Sequence, residues 1–398
     1  MITPSFSMTA TERILPKLSL VFTGASLDSR ITLTRSGNTA TRVNSSGLIE
    51  IVNADLPRFD FDPITLACKG LLIEESRINT VTDSAAIGTG TWYTPSASVV
   101  SNDTTSPDGT VTADKITATA ASGYVFPAID LLASAGGGTF TYSVFVKDID
   151  ATTFTLLIGA AATYFATFNL STKTVTGGNS TGLIQDYGNG WLRVGVIATN
   201  VANAAYSELQ VGRLNNGTSV YVWGAQLEAG SGMTTYIPTT SAAVTRNADV
   251  AVMTGTNFSA WWTAVTGAVA VKYIPASVAE IRPIIEFDDG TANESIALRG
   301  NTTNPELYIV DGGADQAQID AGTIAANSTY TLAGAWNTNS CAAAINGNAA
   351  VTDNTATMPT VTQARLGSDG TNYLNGWLQT IRYWPQRITN AETQAFSK

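Results

Sequence analysis

Apolar and polar residues alternate with a period of two along most of the chain. In residues 139–147, for example, Phe140, Tyr142, Val144 and Val146 fall on one face. Successive side chains of a β-strand point to opposite faces, so this period predicts strands with one buried side. Turns rich in glycine and asparagine separate such segments at spacings of roughly 8–12 residues. The pattern predicts an all-β fold of the β-sandwich or jelly-roll type.

The helical period of 3.6 residues occurs only in short segments. Residues 13–20 and residues 390–396 are the two segments that we predict to be helical. Each spans about two turns of an α-helix. Helices therefore contribute little to the predicted fold.

The strand pattern divides the chain into three predicted parts. Residues 1–75 hold only a few short strands, too few to bury a core alone, and are predicted to be an assembly or attachment segment. Residues 76–248 hold a longer series of strands and are predicted to form a jelly roll. A seam rich in Thr and Ser, containing Pro238, precedes residues 249–398, where a further series of strands predicts a second sandwich.

The 398 residues are 44% hydrophobic but only 13% charged, with a net charge of −10 and a pI near 4.5. The apolar share is large enough to fill cores, which excludes a wholly disordered chain. The acidic balance argues against a nucleic-acid partner and an anionic membrane, because both need a basic surface. No apolar run reaches the length of a transmembrane helix, and the first residues do not read as an export signal.

The chain contains no histidine and two cysteines. Without histidine, Ser-His-Asp and Cys-His catalysis and imidazole-dependent zinc sites are excluded. Cys68 and Cys341 fall in different predicted domains, so we expect two free thiols rather than a disulfide. No cofactor is expected, and calcium is the one candidate for a bound ion.

Four aromatic residues are candidate ligand-binding residues. Trp261 and Trp262 are adjacent, so on a strand their rings would point to opposite faces and one of them is predicted to be exposed. An exposed indole ring can stack on the C–H face of a sugar. Trp92 and Tyr93 follow a stretch of Gly and Thr and are predicted to lie on a loop of the middle domain. The alternative for these rings is packing in a core or against a neighbouring domain or subunit.

Asp288 and Asp289 are the candidate metal ligands, because closely spaced carboxylates suit calcium. The alternative is an ordinary hairpin turn at Asp289 and Gly290. Glu286 and Asp288 also match the first half of the Glu-x-Asp-x-x-Glu strand motif of concanavalin-like glycosidases, but no glutamate follows three residues later. Because glycoside hydrolysis needs a matched pair of carboxyl groups, we predict that the chain is not an enzyme.

Several segments resemble bacteriophage and prophage virion proteins. The first set comprises residues 41–50 (TRVNSSGLIE), 57–63 (PRFDFDP) and 70–79 (GLLIEESRIN). The middle part is similar to a carbohydrate-binding-module jelly roll of that family at residues 106–115 (SPDGTVTADK), 142–147 (YSVFVK) and 221–230 (YVWGAQLEAG). The last part resembles a concanavalin A-like, laminin-G-type sandwich at residues 330–336 (YTLAGAW), 365–367 (RLG) and 376–383 (GWLQTIRY).

The resemblance implies a structural protein of the virion, a tail fibre or spike that presents its sandwich domains for host attachment. It would be assembled in the host cytoplasm and exposed on the particle. The implied partners are other virion proteins and a host-surface glycan or receptor, with no nucleic acid bound and no membrane insertion. It also implies a homo-oligomer, for which we predict a trimer. The alternatives are a capsid or tail decoration protein without an external ligand and a polysaccharide depolymerase.

Overall fold

The structure is a computed structural model that describes residues 15–88, 90, 92–127, 138–159, 162–201 and 208–398. The described residues form 31 β-strands and two short helices, which confirms the predicted all-β fold. The strands are β1 (Leu18–Val21), β2 (Thr32–Thr34), β3 (Ala40–Val43), β4 (Ile49–Val52), β5 (Phe59–Phe61), β6 (Cys68–Ile73), β7 (Arg77–Asn79), β8 (Trp92–Tyr93), β9 (Ala97–Thr105), β10 (Val111–Ala118), β11 (Gly123–Pro127), β12 (Gly138–Asp148), β13 (Thr153–Gly159), β14 (Thr163–Asn169), β15 (Thr174–Gly178), β16 (Thr181–Asp186), β17 (Trp191–Val201), β18 (Glu208–Leu214), β19 (Ser219–Ala229), β20 (Val244–Arg246), β21 (Val250–Thr254), β22 (Thr266–Pro275), β23 (Ile281–Asp288), β24 (Ser295–Asn301), β25 (Asn304–Asp311), β26 (Ala314–Asp320), β27 (Tyr330–Asn337), β28 (Cys341–Ile345), β29 (Val351–Asp353), β30 (Gln363–Leu366) and β31 (Gly376–Trp384). The helices are α1 (Thr256–Ser259) and α2 (Asn390–Phe396).

The helix predicted over residues 390–396 is confirmed as α2. Thr389 caps it, and its hydroxyl accepts from the Glu392 amide while the Glu392 carboxylate accepts from the Thr389 amide. This reciprocal capping box satisfies two amides that a helix start otherwise leaves unpaired. The other helix prediction, residues 13–20, is wrong over its described part, because β1 begins at Leu18.

The middle of the chain forms a sandwich of two six-stranded sheets. One sheet has the order β16-β17-β12-β19-β10-β9 and the other has the order β15-β14-β13-β18-β11-β8. The face of β12 that the sequence pattern marks as apolar is buried between them, with Tyr142 and Val144 fully inaccessible to solvent. This sandwich has its own core.

A second sandwich contains the C-terminal strands. Its eight-stranded sheet has the order β29-β28-β27-β22-β31-β6-β5, with β1 also paired to β31. Its seven-stranded sheet has the order β2-β21-β30-β23-β24-β25-β26. Side chains from both sheets share one apolar core. The seven-stranded sheet carries the candidate site on its outer face.

Four strands from residues 1–75 are built into this second sandwich. β1 places Leu18 opposite Tyr383 of β31, and β6 places Leu72 opposite Trp377 of the same strand. β5 pairs with β6, and β2 pairs with β21 in the other sheet. Residues 1–75 therefore contribute strands to both sheets of the sandwich that also contains strands of residues 249–398.

A buried ionic network lies where the two sandwiches meet. Arg35 donates to one oxygen of Asp249 (Nε–Oδ1 2.9 Å), and Arg58 donates to the other oxygen. Arg58 also pairs with Glu74 (Nη1–Oε2 2.7 Å), which Arg246 contacts as well. Although burial opposes ionisation, Arg246 and Arg58 lower the pKa of Glu74 to about 2. The network joins chain segments that are distant in sequence.

No helix in the described part of the chain is long and apolar enough to cross a membrane.

Candidate functional site

The candidate site is a groove on the outer face of the seven-stranded sheet. On β23, Ile285 and Phe287 point into the core, so Glu286 and Asp288 point outward. The groove has a volume of about 620 Å³. That size falls within the usual range for small-molecule sites.

Strand register brings outward side chains from four strands into one row. Glu286 of β23 lies opposite Arg365 of β30 on one side and opposite Ala297 of β24 on the other. Ala297 in turn lies opposite Tyr308 of β25. Because Ala297 and its neighbour Ser295 have short side chains, the sheet is depressed over β24. This depression is the floor of the groove.

Two turns raise the walls of the groove. One follows β23 and contributes Gly290 and Thr291, and the other follows β30 and contributes residues 369–372. Asp369 fixes the second turn by accepting from the amides of Thr371 (2.8 Å) and Asn372 (2.6 Å). Carboxylate–amide bonds of this kind hold a turn in one conformation.

Both arginines in the groove are ion-paired. Arg365 donates to Asp288 (Nε–Oδ2 2.9 Å), and Arg299 donates to Glu306 (Nε–Oε1 2.7 Å). The Arg299 guanidinium also lies 3.4 Å from the centroid of the Tyr308 ring. Planar guanidinium groups held in this way present fixed N–H donors toward a ligand.

Glu286 differs from the other charged residues of the groove. Its side chain is only 8% exposed, and no hydrogen bond or ion pair from another described residue reaches its carboxyl group. Burial and the negative charges of Asp369 and Asp288 raise the pKa of Glu286 to about 8, and Arg365 and Arg299 only partly oppose this. The carboxyl group is therefore largely protonated near neutral pH and can donate a hydrogen bond.

A stability measurement tests this protonation state. Because the pKa is raised in the folded protein, the unfolded chain releases the Glu286 proton first, so stability falls as the pH rises from the ordinary value of 4.5 to about 8 and levels off above that. We expect Glu286→Gln to raise the free energy of unfolding by ~2 kcal/mol at about pH 9 and to change it little at about pH 5. Urea titrations at both pH values measure this. The exposed Glu280→Gln variant serves as control, and an equal effect of Glu286→Gln at both pH values would contradict the assignment.

The structure places Trp261 and Trp262 away from the groove. Trp261 is 2% exposed and lies in the core of the C-terminal sandwich. Trp262 is half-buried and packs on the same core, with ring centroids 4.6 Å from Phe287 and 5.3 Å from Tyr383. Both follow helix α1 rather than lying on a strand, so strand alternation does not separate their rings. The Trp261 indole is therefore covered by the core, and the Trp262 indole has one face against it.

Trp92 and Tyr93 form strand β8 in the middle sandwich rather than a loop. Trp92 is buried, whereas Tyr93 is 58% exposed. The Tyr93 ring stacks on Phe126, with centroids 5.2 Å apart. Of the four aromatic candidates, Tyr93 is the one that presents a ring at the surface, on a different sandwich from the groove.

The two candidate metal ligands have separate environments. Asp288 is buried, and it accepts from Arg365, from the Gly290 amide (2.7 Å) and from Gln363. Asp289 is exposed and accepts from Thr291 within the turn. No group of three His, Cys, Asp or Glu side chains suited to a metal occurs in the described ranges. Asp288 is an arginine-paired carboxylate, and Asp289 lies in the turn between β23 and β24.

A second cavity, of about 370 Å³, lies at the junction of the two sandwiches. There the Lys69 ammonium lies 3.1 Å from the centroid of the Trp377 ring, and the Trp377 indole donates to Asp60 (2.9 Å). Asp60 also accepts from the Val43 amide (2.7 Å). These contacts tie β3, β5, β6 and β31 together, so we assign this cavity to the packing of the junction.

The sequence pointed to Glu286 and Asp288 but not to the residues that surround them. Ala297, Arg299, Tyr308 and Arg365 come from three other strands. The sequence feature that could have found them is the alternation of apolar and polar residues with a period of two, because it places each of them on the outward face of its strand. Which outward faces meet depends on strand order, which the period does not give.

No protein-family model and no curated protein sequence matches the chain. Among solved structures, the CBM40 of the Ruminococcus gnavus IT-sialidase, bound to alpha2,3 sialyllactose, is 14% identical, with 34% of this chain and 84% of that chain covered and a TM-score of 0.30. The NanB sialidase from Streptococcus pneumoniae is 13% identical, with 36% and 26% covered and a TM-score of 0.31. A heptameric SAP-like pentraxin from Limulus polyphemus is 13% identical, with 34% and 70% covered and a TM-score of 0.27.

Proposed function

We propose that the protein is a glycan-binding protein and that the groove over β24 is its binding site. The observation that carries the proposal is the row of Arg365, Glu286, Ala297 and Tyr308 across four strands. It combines fixed donors, a carboxyl group that no other described residue bonds to, and a shallow floor. Sugars present many hydroxyl groups, each able to donate and accept.

The groove supplies complementary groups for such hydroxyls. The arginine N–H groups donate, and the protonated Glu286 carboxyl both donates and accepts. Half-buried Tyr308 adds apolar ring surface beside them. A concave site with a few convergent polar groups is typical of specific ligand binding.

The same geometry favours binding without cleavage. Glycoside hydrolysis needs one carboxylic acid and one carboxylate free to act on the sugar. Glu286 provides a protonated acid, but Asp288 is held by Arg365 and Gln363. We therefore propose a binding role and no turnover.

Filling the groove tests the site. We expect Ala297→Trp to weaken binding to an immobilised neutral oligosaccharide at least about tenfold, or ~1.4 kcal/mol, because the indole occupies the floor that the ligand needs. Thr34→Trp, at an exposed position of the same sheet, is the control and should bind as the wild type does. Circular dichroism and thermal melting verify that both variants fold.

Two results would count against the proposal. Equal binding by Ala297→Trp and the wild type would show that the glycan binds outside the groove. No binding by the wild type across a panel of neutral and acidic glycans would contradict glycan binding itself, and it would favour the alternative of a decoration protein.

The second part of the proposal concerns the location of the protein when it binds glycans. The sequence resemblance to phage proteins supports a virion location, where the protein serves host attachment in several copies. Multiple copies on one particle make the second engagement intramolecular, so weak single sites suffice. Electron microscopy of particles labelled with an antibody against this chain tests the location, and unlabelled particles would contradict it.

A further inference from the structure

We propose that the groove selects neutral glycans and rejects sugars that carry a carboxylate or a sulfate. This inference rests on the proposed function and narrows it to a ligand class. Its basis is the arrangement of charged side chains around the floor formed by Ala297 and Ser295.

The positive charges of the groove are already neutralised. Arg365 is paired with Asp288 and Arg299 with Glu306, both through contacts shorter than 3 Å. Among the described residues that line the groove, these two arginines are the cations. An anionic sugar would therefore have to displace a protein carboxylate before it gained an ion pair.

The remaining charged groups are acidic. Asp369 stands on the wall, and its carboxylate is bonded to Thr371 and Asn372 of its own turn rather than to a cation. Glu286 lies on the floor beside it. A ligand carboxylate or sulfate placed in the groove would face the negative charge of Asp369, and like charges in a poorly hydrated site repel strongly. Glu286 adds to this repulsion only where it is ionised, above about pH 8.

A neutral sugar is not repelled by Asp369 and does not have to displace a carboxylate from either arginine. The protonated Glu286 carboxyl donates to a ring or hydroxyl oxygen and accepts from a hydroxyl group with its other oxygen. The paired arginines keep their carboxylates and use their outward N–H groups. Hydrogen bonds that involve charged groups of this kind are stronger than neutral ones.

The arrangement also links binding to pH. The charged groups near Glu286 are Asp288 of its own strand, Arg365 of β30, Arg299 of β24 and Asp369 of the turn. As the pH rises above about 8, Glu286 ionises, loses its O–H donor and adds a negative charge to the groove. Affinity for the neutral glycan then falls. Glutamine keeps an N–H donor at every pH, so Glu286→Gln should bind nearly independently of pH.

The experiment compares a neutral oligosaccharide with the same oligosaccharide carrying a terminal sialic acid, by calorimetry at about pH 6.5 and about pH 9. The full-length wild type should bind the neutral form at least about tenfold more tightly at about pH 6.5. Its affinity for the neutral form should be at least about threefold lower at about pH 9 than at about pH 6.5. Glu286→Gln should retain its affinity at both pH values.

The outcomes separate the two proposals. Equal or tighter binding of the sialylated form would overturn the selection for neutral glycans while leaving glycan binding intact. A wild-type affinity that does not change with pH would overturn the role of Glu286. Failure of both oligosaccharides, and of a wider panel, would contradict the proposed function itself.

Discussion

Residues 249–398 expressed alone are expected not to fold. In the full chain, strands β1, β2, β5 and β6 fill positions in both sheets of the C-terminal sandwich. These strands and the residues directly beside them place eight side chains in the shared core: Leu18, Leu20, Phe22, Ile31, Leu33, Phe59, Leu71 and Ile73. Burial of one large apolar side chain contributes about 1.5–3 kcal/mol. The total loss is as large as the whole stability of a typical domain, about 5–15 kcal/mol, or larger.

A matched fragment makes this test decisive. Residues 76–248 contain both sheets of the middle sandwich and its core, together with the pair β7 and β20. This fragment is expected to fold and to melt cooperatively. Circular dichroism and one-dimensional NMR of the two fragments provide the comparison. A cooperatively melting 249–398 fragment would show that the N-terminal strands are dispensable.

Replacing Asp249 by alanine is expected to lower the free energy of unfolding by about 3–5 kcal/mol. Asp249 is fully buried and accepts from Arg35, from Arg58 and from the Glu74 amide. Its removal leaves buried Arg35 without its carboxylate partner and leaves Arg58 and Arg246 to share the single carboxylate of Glu74. An uncompensated buried charge is among the most destabilising changes that one substitution can make.

A surface ion pair is the control for this prediction. Asp186 pairs with Lys173, whose side chain is half exposed. Asp186→Ala is expected to cost at most about 1 kcal/mol, because water replaces the lost partner. Urea denaturation at neutral pH measures both variants. Similar losses for Asp186→Ala and Asp249→Ala would show that burial of the ionic network does not make Asp249 more important to stability than a surface carboxylate.

Local patterns were sufficient to predict the element types. The period of two in residues 139–147 corresponds to β12, and its apolar face is the buried one. Residues 390–396 form α2 as predicted, because the local signals for a helix start, Thr389 and Glu392, act within four residues. Such short-range signals need no knowledge of the tertiary fold.

Long-range pairing was not predictable from the same patterns. β1 reads as a short amphipathic segment, and only its partner β31, more than three hundred residues away, makes it a strand. Trp261 and Trp262 were interpreted as strand residues, but helix α1 precedes them and both rings pack on the core. Glu286 was visible in the sequence as part of an incomplete motif. Its environment is set by β24, β25 and β30, whose order the sequence does not give.

The most direct test of the central claim is hydrogen–deuterium exchange of the full-length protein with and without a bound neutral oligosaccharide. We expect added protection in the groove walls, at residues 290–292 and 369–372, because these residues line the groove. The exposed Tyr93 strand of the middle sandwich should be unchanged. Protection around Tyr93 and Phe126, with none in the two groove turns, would contradict the account and place glycan binding on the other sandwich.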